Sequence, residues 1–537
     1  MKKIELILQN KVYAIAIYFI LICVIYSQTK NFDFTLDDDL ITSSIDTKIN
    51  NASDLLDIFK ERYNRVEYRP IAVLSFGIEY LVLGELNPSV SHVVNFILFF
   101  LVIVSIYILF NFITKFKYKY EVFWIVAIFC VHPLCTEVVA NIKSRDGLLS
   151  MLFCIWSVYF FFKADRNNFS IKYYFISWLL FIIGSFAKLD VFGMVLFVLL
   201  YNATKFDKKS FVRAIVLFAV FILGITLIRT TLVDYFLPIE ESNSTLAVTT
   251  FTENPIADLD GFFIKIFAAI QTLWIYFIKI VFPLDLRYYY GFNYYSIDTK
   301  LTLSLLAKII FFISLFVFVL FSSKKNKYVF IGLIGFVCFI FYALNYYTEV
   351  AGIVADRYVF MSLPWFVFIV FMLINRFQFT KYVVVNIIFF VVLILLLFLS
   401  YNRTKVWKDT ITLVQNDAPH LEKSFEGMRI AASIYYSEFE KTEDKQYLNL
   451  AIDCALKANK VYSNSMLINT QLGQFYFKNN ETQKSKDYLL KASKVDTTNS
   501  TVFHYLGDIY YSEKKYSESE KYYFNALRLS KENQKEF

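Results

Sequence analysis

The feature that most constrains this chain is a series of apolar runs of 18 or more residues, which recurs from Val12 to Ser400. A run of this length can cross the hydrocarbon core of a bilayer as a helix. The composition agrees, because 57% of the 537 residues are hydrophobic and only 19% are charged, whereas soluble domains average about 25% charged residues. The sequence therefore predicts a polytopic, all-α membrane protein and excludes a soluble enzyme.

Eleven runs are predicted to span the membrane, with the basic loops between them on the cytoplasmic side. The N-terminus is then cytoplasmic, and the C-terminal part is periplasmic, or lumenal in a eukaryotic endoplasmic reticulum. Residues 262–283 are also apolar, but counting them as a span puts the basic loop at Lys324 on the opposite side. We expect a re-entrant or interfacial helix there, with Lys265 and Lys279 reaching the headgroups. The predicted spans are residues 11–27, 90–113, 121–141, 147–163, 171–187, 190–204, 211–231, 301–322, 328–347, 353–375 and 381–401.

The sequence changes character after Tyr401, where it becomes polar and helix-periodic. This predicts a membrane domain over 1–401 and an extracytoplasmic domain over 402–537. Three pairs of residues in the second domain are each 34 positions apart, namely Gly473 and Gly507, Tyr488 and Tyr522, and Ala492 and Ala526. A period of 34 is typical of tetratricopeptide (TPR) repeats, which stack into an α-solenoid with a concave peptide-binding face. Three unrelated helical hairpins are the alternative.

An acidic cluster follows the first predicted span: Asp37, Asp38 and Asp39 are adjacent. Three neighbouring carboxylates repel one another, which favours a raised pKa in at least one of them. Such a group could accept the proton of a hydroxyl as its oxygen attacks a sugar. A solvated acidic turn or a helix N-cap is the alternative interpretation.

Further charged residues lie at or near the outer ends of predicted spans, where ionisable groups are costly and tend to be functional. Their basic members could hold the phosphate of a lipid-linked donor, since arginine binds phosphate in a bidentate manner. Internal pairing or interface anchoring is the alternative for each of them. The residues are Glu137, Lys143, Arg145, Asp146, Lys188, Asp190, Asp356 and Arg357.

Several familiar kinds of site have no support in the sequence. There is no GxxxxGK[ST] phosphate-binding loop and no CxxC pair, and the four histidines lack metal-binding spacing. We therefore expect no metal and no cofactor. The net charge of +8 arises mainly from basic residues between spans, so no nucleic-acid partner is predicted.

The ordered series of short stretches resembles the protein O-mannosyltransferases that combine transmembrane segments with TPR repeats, and their bacterial relatives. These are GT-C fold glycosyltransferases, and the resemblance extends over nearly the whole chain. The matching stretches are LDDDLI (36–41), YRPIAVLSF (68–76), NPSVSHVVNFILF (87–99), HPLCTEVVANIKSRDGLL (132–149), AK (187–188), ENPIAD (253–258), FPLDL (282–286), ADRYVF (355–360) and NRTKVWKD (402–409).

This resemblance implies eleven spans, an acidic first outer loop and a polyprenyl-phosphate sugar as the donor, used without a metal ion. Asp37 and Asp38 match the family's acidic pair, and Asp39 is a third aspartate of the bacterial relatives. By the same matching, Glu137, Arg145 and Asp146 belong to one loop motif. Lys188 belongs to a second motif, and Asp356 and Arg357 belong to a third. The sequence departs from the pattern at Leu36, at Leu189 where Glu is expected, and at Asp356.

The expected function is transfer of a sugar from a lipid-linked donor to Ser or Thr of a protein on the outer face. Asp37 or Asp38 is the expected base, and the acceptor polypeptide would bind in the TPR groove. Two alternatives stay open, namely a glycolipid or surface-glycan acceptor and a non-catalytic membrane-anchored scaffold. The expected donor phosphate ligands are Arg145, Lys188 and Arg357, supported by Asp39, Glu137, Asp146, Asp190 and Asp356.

Overall fold

A computed structural model describes residues 7–38, 51–60, 68–205, 208–236, 251–259, 261–346, 350–379 and 383–535, and all regular structure in these ranges is helical. The hydrophobic part contains α1 (Lys11–Tyr26), α2 (Pro70–Leu83), α3 (Pro88–Ile113), α4 (Lys119–Cys130), α5 (Thr136–Ala140), α6 (Arg145–Arg166), α7 (Ile171–Ala187), α8 (Gly193–Ala203), α9 (Lys208–Phe236), α10 (Phe262–Val281), α11 (Leu303–Ser323), α12 (Lys327–Ile340), α13 (Leu363–Arg376) and α14 (Val383–Val406). The polar part contains α15 (Thr410–Asp417), α16 (Phe425–Thr442), α17 (Lys445–Val461), α18 (Met466–Lys478), α19 (Thr482–Val495), α20 (Ser500–Ser512) and α21 (Tyr516–Lys535).

Eight helices in the described ranges are long and apolar enough to cross a membrane, which indicates a membrane protein. They are α1, α3, α6, α9, α10, α11, α12 and α14, with α1 and α12 counted together with the turns that follow them. The pair α4 and α5 adds one more if it is a single span bent by 56°. Four further apolar helices are shorter. Three of those coincide with predicted spans, so the count of eleven remains a prediction.

Helix α10 covers the segment that we expected to be re-entrant or interfacial. It is one uninterrupted helix of 20 residues, and its length and composition are those of a span. These two properties therefore do not distinguish the re-entrant interpretation from a crossing.

The membrane helices share one large hydrophobic core. Helix α6 packs against α3 and α7, and α12 packs against α13, α8 and α11. Local signals define the ends of the helices: Asn87 accepts a hydrogen bond from the backbone N–H of Ser89, and Pro88 begins α3. Proline is favoured at that position because its missing N–H needs no partner there. The core fixes the outer loops in space because each loop joins two packed helices.

The C-terminal helices form three consecutive hairpins, α16 with α17, α18 with α19, and α20 with α21. Each hairpin contacts the next through α17 and α18 or through α19 and α20. One contact recurs with the period of the sequence: the Ser485 hydroxyl donates to the Gly473 carbonyl at 2.6 Å, and Ser519 donates to Gly507 at 2.9 Å. The second and third hairpins are therefore built in the same way.

The hairpins are attached firmly to the rest of the molecule. Arg403 donates to both carboxylate oxygens of Asp417, at 2.7 and 3.0 Å, and the N–H of Tyr288 donates to the same carboxylate at 2.8 Å. The Tyr288 hydroxyl also donates to the Gly427 carbonyl at 2.6 Å. Helix α14 continues through the predicted domain boundary at Tyr401 and ends at Val406. The two-domain division stays a prediction.

Candidate functional site

The acidic cluster lies in a short 3₁₀ turn, Leu36–Asp38, after an extended segment. Leu36 has φ +47°, in the left-handed region, which costs a residue with a side chain about 1–2 kcal/mol. The turn separates its two carboxylates, because the Asp37 side chain is 57% exposed whereas Asp38 is 0% exposed. Asp39 lies outside the described residues.

Both carboxylate oxygens of Asp38 accept hydrogen bonds from backbone N–H groups. One carboxylate oxygen accepts from the backbone N–H of Thr35 at 2.8 Å, and the other accepts from the N–H of Lys143 at 2.7 Å. Burial raises the pKa of this carboxyl to about 7, although the hydrogen bonds from Thr35, Lys143 and Ile142 oppose that rise. Asp38 therefore joins the turn to the loop that contains Lys143 and presents no surface to a ligand.

Asp37 is exposed and pairs with a cation. The ammonium of Lys143 lies 2.7 Å from its carboxylate. Partial burial raises the pKa of Asp37, but the charges of Lys143 and Arg357 outweigh that effect, and the net pKa is lowered. Asp37 is thus an accessible carboxylate that is ionised at neutral pH.

Arg145 is fully buried behind the loop. Its guanidinium lies 2.8 Å from the Glu79 carboxylate, donates to the Asn95 side chain at 2.8 Å and covers the ring of Phe76. It also donates to the Ser91 carbonyl at 3.1 Å. The predicted direct contact of Arg145 with a donor phosphate does not fit this geometry, because a side chain with 0% exposure offers no surface to a ligand.

Asp146 holds two cations from other elements. Arg69, next to the start of α2, forms an ion pair with one of its oxygens, and the ammonium of Lys188 lies 3.4 Å from the other. Asp190 accepts a hydrogen bond from the Ser150 hydroxyl. Lys188 thus forms its ion pair with Asp146, and its charge also acts on Asp190.

Glu137 binds Arg357 through both carboxylate oxygens, which lie 2.6 Å from the guanidinium and 3.0 Å from the backbone N–H of Arg357. The adjacent Asp356 is buried and pairs with Lys279 of α10 at 3.2 Å. The Tyr290 hydroxyl donates to the same Asp356 oxygen at 3.0 Å. The expectation that Lys279 reaches the headgroups is wrong, because its charge is satisfied inside the protein by Asp356.

Four cations therefore surround the exposed carboxylate of Asp37 and the buried carboxylate of Asp146. Asp37 interacts electrostatically with Lys143, Arg357 and Asp146, and Asp146 does so with Lys143, Lys188 and Arg69. Between 13% and 24% of each cationic side chain is exposed. Partly exposed cations beside an ionised carboxylate can bind an anionic group and leave the carboxylate free to accept a proton.

Sequence reasoning missed two residues of this arrangement, because Arg69 and Glu79 were not predicted as site residues. Lys143 was considered with the other charged residues near the span ends but was not among the expected donor phosphate ligands. The signal available for Arg69 is its place beside Pro70 at the start of a helix inside the matching stretch YRPIAVLSF. The signal for Glu79 is an isolated charge within an apolar helix, which needs a partner. In the described part of the chain, no group of three or more His, Cys, Asp or Glu could hold a metal ion.

Comparison with known proteins gives one partial similarity. No protein-family model matches the chain. The human protein "Protein O-mannosyl-transferase TMTC1" is 38% identical over 93 residues, which is 17% of this chain and 10% of that protein. The match thus spans about a tenth of the length of this curated relative, and it supports a loose relation to that family.

Proposed function

We propose that this chain is an integral membrane glycosyltransferase of GT-C type. It transfers a sugar from a polyprenyl-phosphate donor to a Ser or Thr hydroxyl of a protein on the outer face of the membrane. The observation that most supports this is Asp37, an accessible carboxylate paired with Lys143 and surrounded by partly exposed cations beside apolar helices. The partial similarity to a named O-mannosyltransferase points to the same chemistry.

In the proposed reaction, Asp37 accepts the proton of the acceptor hydroxyl while the hydroxyl oxygen attacks the anomeric carbon. The bond from that carbon to the phosphate oxygen breaks, and its electron pair leaves with the polyprenyl phosphate. Negative charge therefore grows on the phosphate in the transition state, where fixed cations stabilise it most effectively. Attack from the side opposite the phosphate inverts the configuration at the anomeric carbon.

Lys188 and Arg357 remain our assigned phosphate ligands, and we add Lys143 and Arg69. Their part-exposed side chains can contact a phosphate, whereas Arg145 orients the loop through Glu79 and Asn95. Glu137 and Asp146 then position the cations by pairing with them.

We further propose that the three hairpins are TPR repeats that bind the acceptor polypeptide. The recurrence of the serine–glycine hydrogen bond at a spacing of 34 residues supports this assignment. A bound polypeptide is held at a high effective concentration near Asp37, because the hairpins are attached to the same molecule. In this proposal the N-terminus is cytoplasmic and the hairpins are extracytoplasmic.

The experiment is comparative glycoproteomics of envelope proteins from a deletion strain complemented with wild type, Asp37→Asn or Asp33→Asn. Asp33 is the matched control, because it is an exposed aspartate of the same segment with no ion pair among the described residues. We expect a sugar on Ser or Thr to be absent with Asp37→Asn and present with the other two. The amount of each protein in the membrane is measured in parallel.

Three other outcomes contradict the proposal at different points. Unchanged protein glycans with altered lipid or surface glycans would assign a different acceptor to the same chemistry. If Asp37→Asn retained all glycans at the wild-type level, Asp37 would not be the base. If the deletion also left every glycan unchanged, a non-catalytic scaffold would be favoured.

A further inference from the structure

The segment that holds Asp37 is bonded directly to the start of the polar helical part. The N–H of Asp33 donates to the carbonyl of Lys408 at 2.9 Å, and the N–H of Leu36 donates to the hydroxyl of Thr410 at 3.1 Å. These residues are more than 370 positions apart in the chain. The second bond is made by a side chain, so a single substitution can remove it without altering the backbone.

Within the described residues, the Thr410 hydroxyl makes no hydrogen bond to its own helix. Thr410 is the first residue of α15, and the preceding Asp409 already caps this helix by accepting from the N–H of Thr412 at 2.7 Å. Serine and threonine hydroxyls near a helix start commonly bond to their own helix. Here Thr410 instead bonds to a loop from the opposite end of the chain.

The bond acts on the backbone of Leu36, the residue that immediately precedes the two carboxylates. Leu36 has a left-handed φ, and its side chain packs on the hydrophobic cluster that includes Trp407, Leu413 and Val414. A strained backbone conformation persists only when its surroundings hold it. The Thr410 hydroxyl and this packing both hold Leu36, together with the hydrogen bonds between Thr35 and Asp38 that close the turn, and Asp37 follows immediately.

We propose that Thr410 is a positioning residue that keeps the Asp37 carboxylate exposed beside Lys143. The inference rests on the proposed function, in which Asp37 is the base. The polar helices are then part of the site as well as a binding surface for the acceptor. Helix α15 connects the two roles, because its last residue, Asp417, is bonded to Arg403 and Tyr288, and α15 packs on α16.

The first test measures sugar transfer by the full-length protein with Thr410→Val, Thr410→Ser and, as the matched control, Thr412→Val. Thr412 lies in the same helix, and no hydrogen bond joins its side chain to residues 32–38 of the described chain. Loss of one hydrogen bond corresponds to roughly a 3- to 10-fold effect. We expect kcat to fall by about that factor for Thr410→Val with the donor KM unchanged, and Thr410→Ser to restore it.

The second test does not depend on transfer. The thiol introduced by Asp37→Cys is labelled with a membrane-impermeant maleimide, alone and together with each of the three substitutions. Five of the six native cysteines are buried, and the sixth, Cys23, is partly buried in α1, so labelling of the protein without Asp37→Cys gives the background. We expect Thr410→Val to change the labelling rate at least about threefold, whereas Thr410→Ser and Thr412→Val leave it unchanged.

The two tests separate the failure of this proposal from the failure of the proposed function. Equal labelling rates in all four proteins would overturn the positioning role of Thr410. Equal impairment by Thr410→Val and Thr410→Ser would also overturn it, because the hydroxyl would then be irrelevant. If labelling depends on the Thr410 hydroxyl but transfer is independent of Asp37, the positioning of residue 37 stands and the assignment of Asp37 as the base fails.

Discussion

Asp37 and Asp38 are adjacent and chemically identical, but the turn gives them opposite surroundings. Asp37 is exposed beside Lys143, and Asp38 is enclosed by backbone donors. Burial favours the protonated form of a carboxyl, whereas a neighbouring cation favours the ionised form. The pKa values of the pair therefore move apart, that of Asp37 downward and that of Asp38 to about 7.

This difference gives a prediction for the pH dependence of activity. Because the pKa of Asp37 is lowered, its base form persists as the pH falls, and transfer is lost only below the ordinary range of an aspartate. We expect kcat/KM to show no acid limb from Asp37 between about pH 5 and 8. The measurement is the initial rate of sugar transfer over that range at constant ionic strength. An activity that instead rises to a plateau through about pH 7 would identify Asp38 as the base.

The contribution of Asp38 to the stability of the folded protein should fall as the pH rises. The folded protein keeps the Asp38 proton up to about pH 7, whereas an unfolded chain releases it near 3.8. The folded state thus binds more protons between these values, so the Asp38 contribution to stability decreases as the pH rises through this window.

Arg145 provides a second prediction at this scale. Replacing one member of a buried ion pair leaves the other charge uncompensated, which typically costs about 3–5 kcal/mol. We expect Arg145→Ala to lower the thermal midpoint of the purified protein clearly, with Glu79 left unpaired in the interior. Lys143→Ala is the matched control, because its ion pair with Asp37 is partly exposed and a surface pair contributes only about 0–1 kcal/mol. Normal stability of Arg145→Ala with a raised donor KM would restore the original assignment as a phosphate ligand.

At the residue scale, the sequence predicted which types of residue lie at the site better than it predicted the contacts of each residue. The acidic cluster and the basic residues at span ends were visible as charges in apolar surroundings. The burial of Asp38 depends on the N–H of Lys143 and the φ of Leu36, which no local pattern specifies. The partners of Arg145 and Lys188 lie on other helices, so only the packed structure pairs them.

At the scale of elements, the hairpins were the most predictable part of the chain. Each helix pair is made by local contacts, and the period of 34 residues is directly visible in the sequence. Asn480 and Lys514, also 34 positions apart, both have left-handed φ values near +60° in the turns of successive hairpins. The membrane helices were predicted as runs, but breaks such as the one between α4 and α5 were not, because both sides of the break are apolar.

The repeated serine–glycine contact predicts equal effects in two hairpins. Ser485→Ala and Ser519→Ala each remove a buried hydrogen bond to a glycine carbonyl, which we expect to cost about 1 kcal/mol. The readout is the thermal midpoint of the full-length protein, together with hydrogen exchange in α18 to α21. Ser517→Ala is the control, because that side chain is exposed on α21. A large effect at only one of the two serines would contradict the equivalence of the hairpins.

At the scale of the whole molecule, the contacts from Asp33 and Leu36 to Lys408 and Thr410 place the acidic turn and the hairpins on one side of the membrane part. The proposed topology puts that side outside the cytoplasm. We expect a membrane-impermeant maleimide to label Asp37→Cys and Thr497→Cys in intact cells, and to label Lys117→Cys only after permeabilisation. Labelling of Lys117→Cys alone in intact cells would reverse the orientation.

The same long-range bonds have a consequence for the time at which the site forms. The turn at Leu36 is synthesised early, but its partner Thr410 follows more than 370 residues later. At about 5–20 residues per second, the delay is roughly 20 to 75 s. During this interval the hydrophobic helices α2 to α14 are made, before the residue that completes the turn. The proposed positioning of Asp37 by Thr410 would therefore be complete only after the membrane part of the same chain has been produced. In the proposed function, a shorter nascent chain would lack a positioned base.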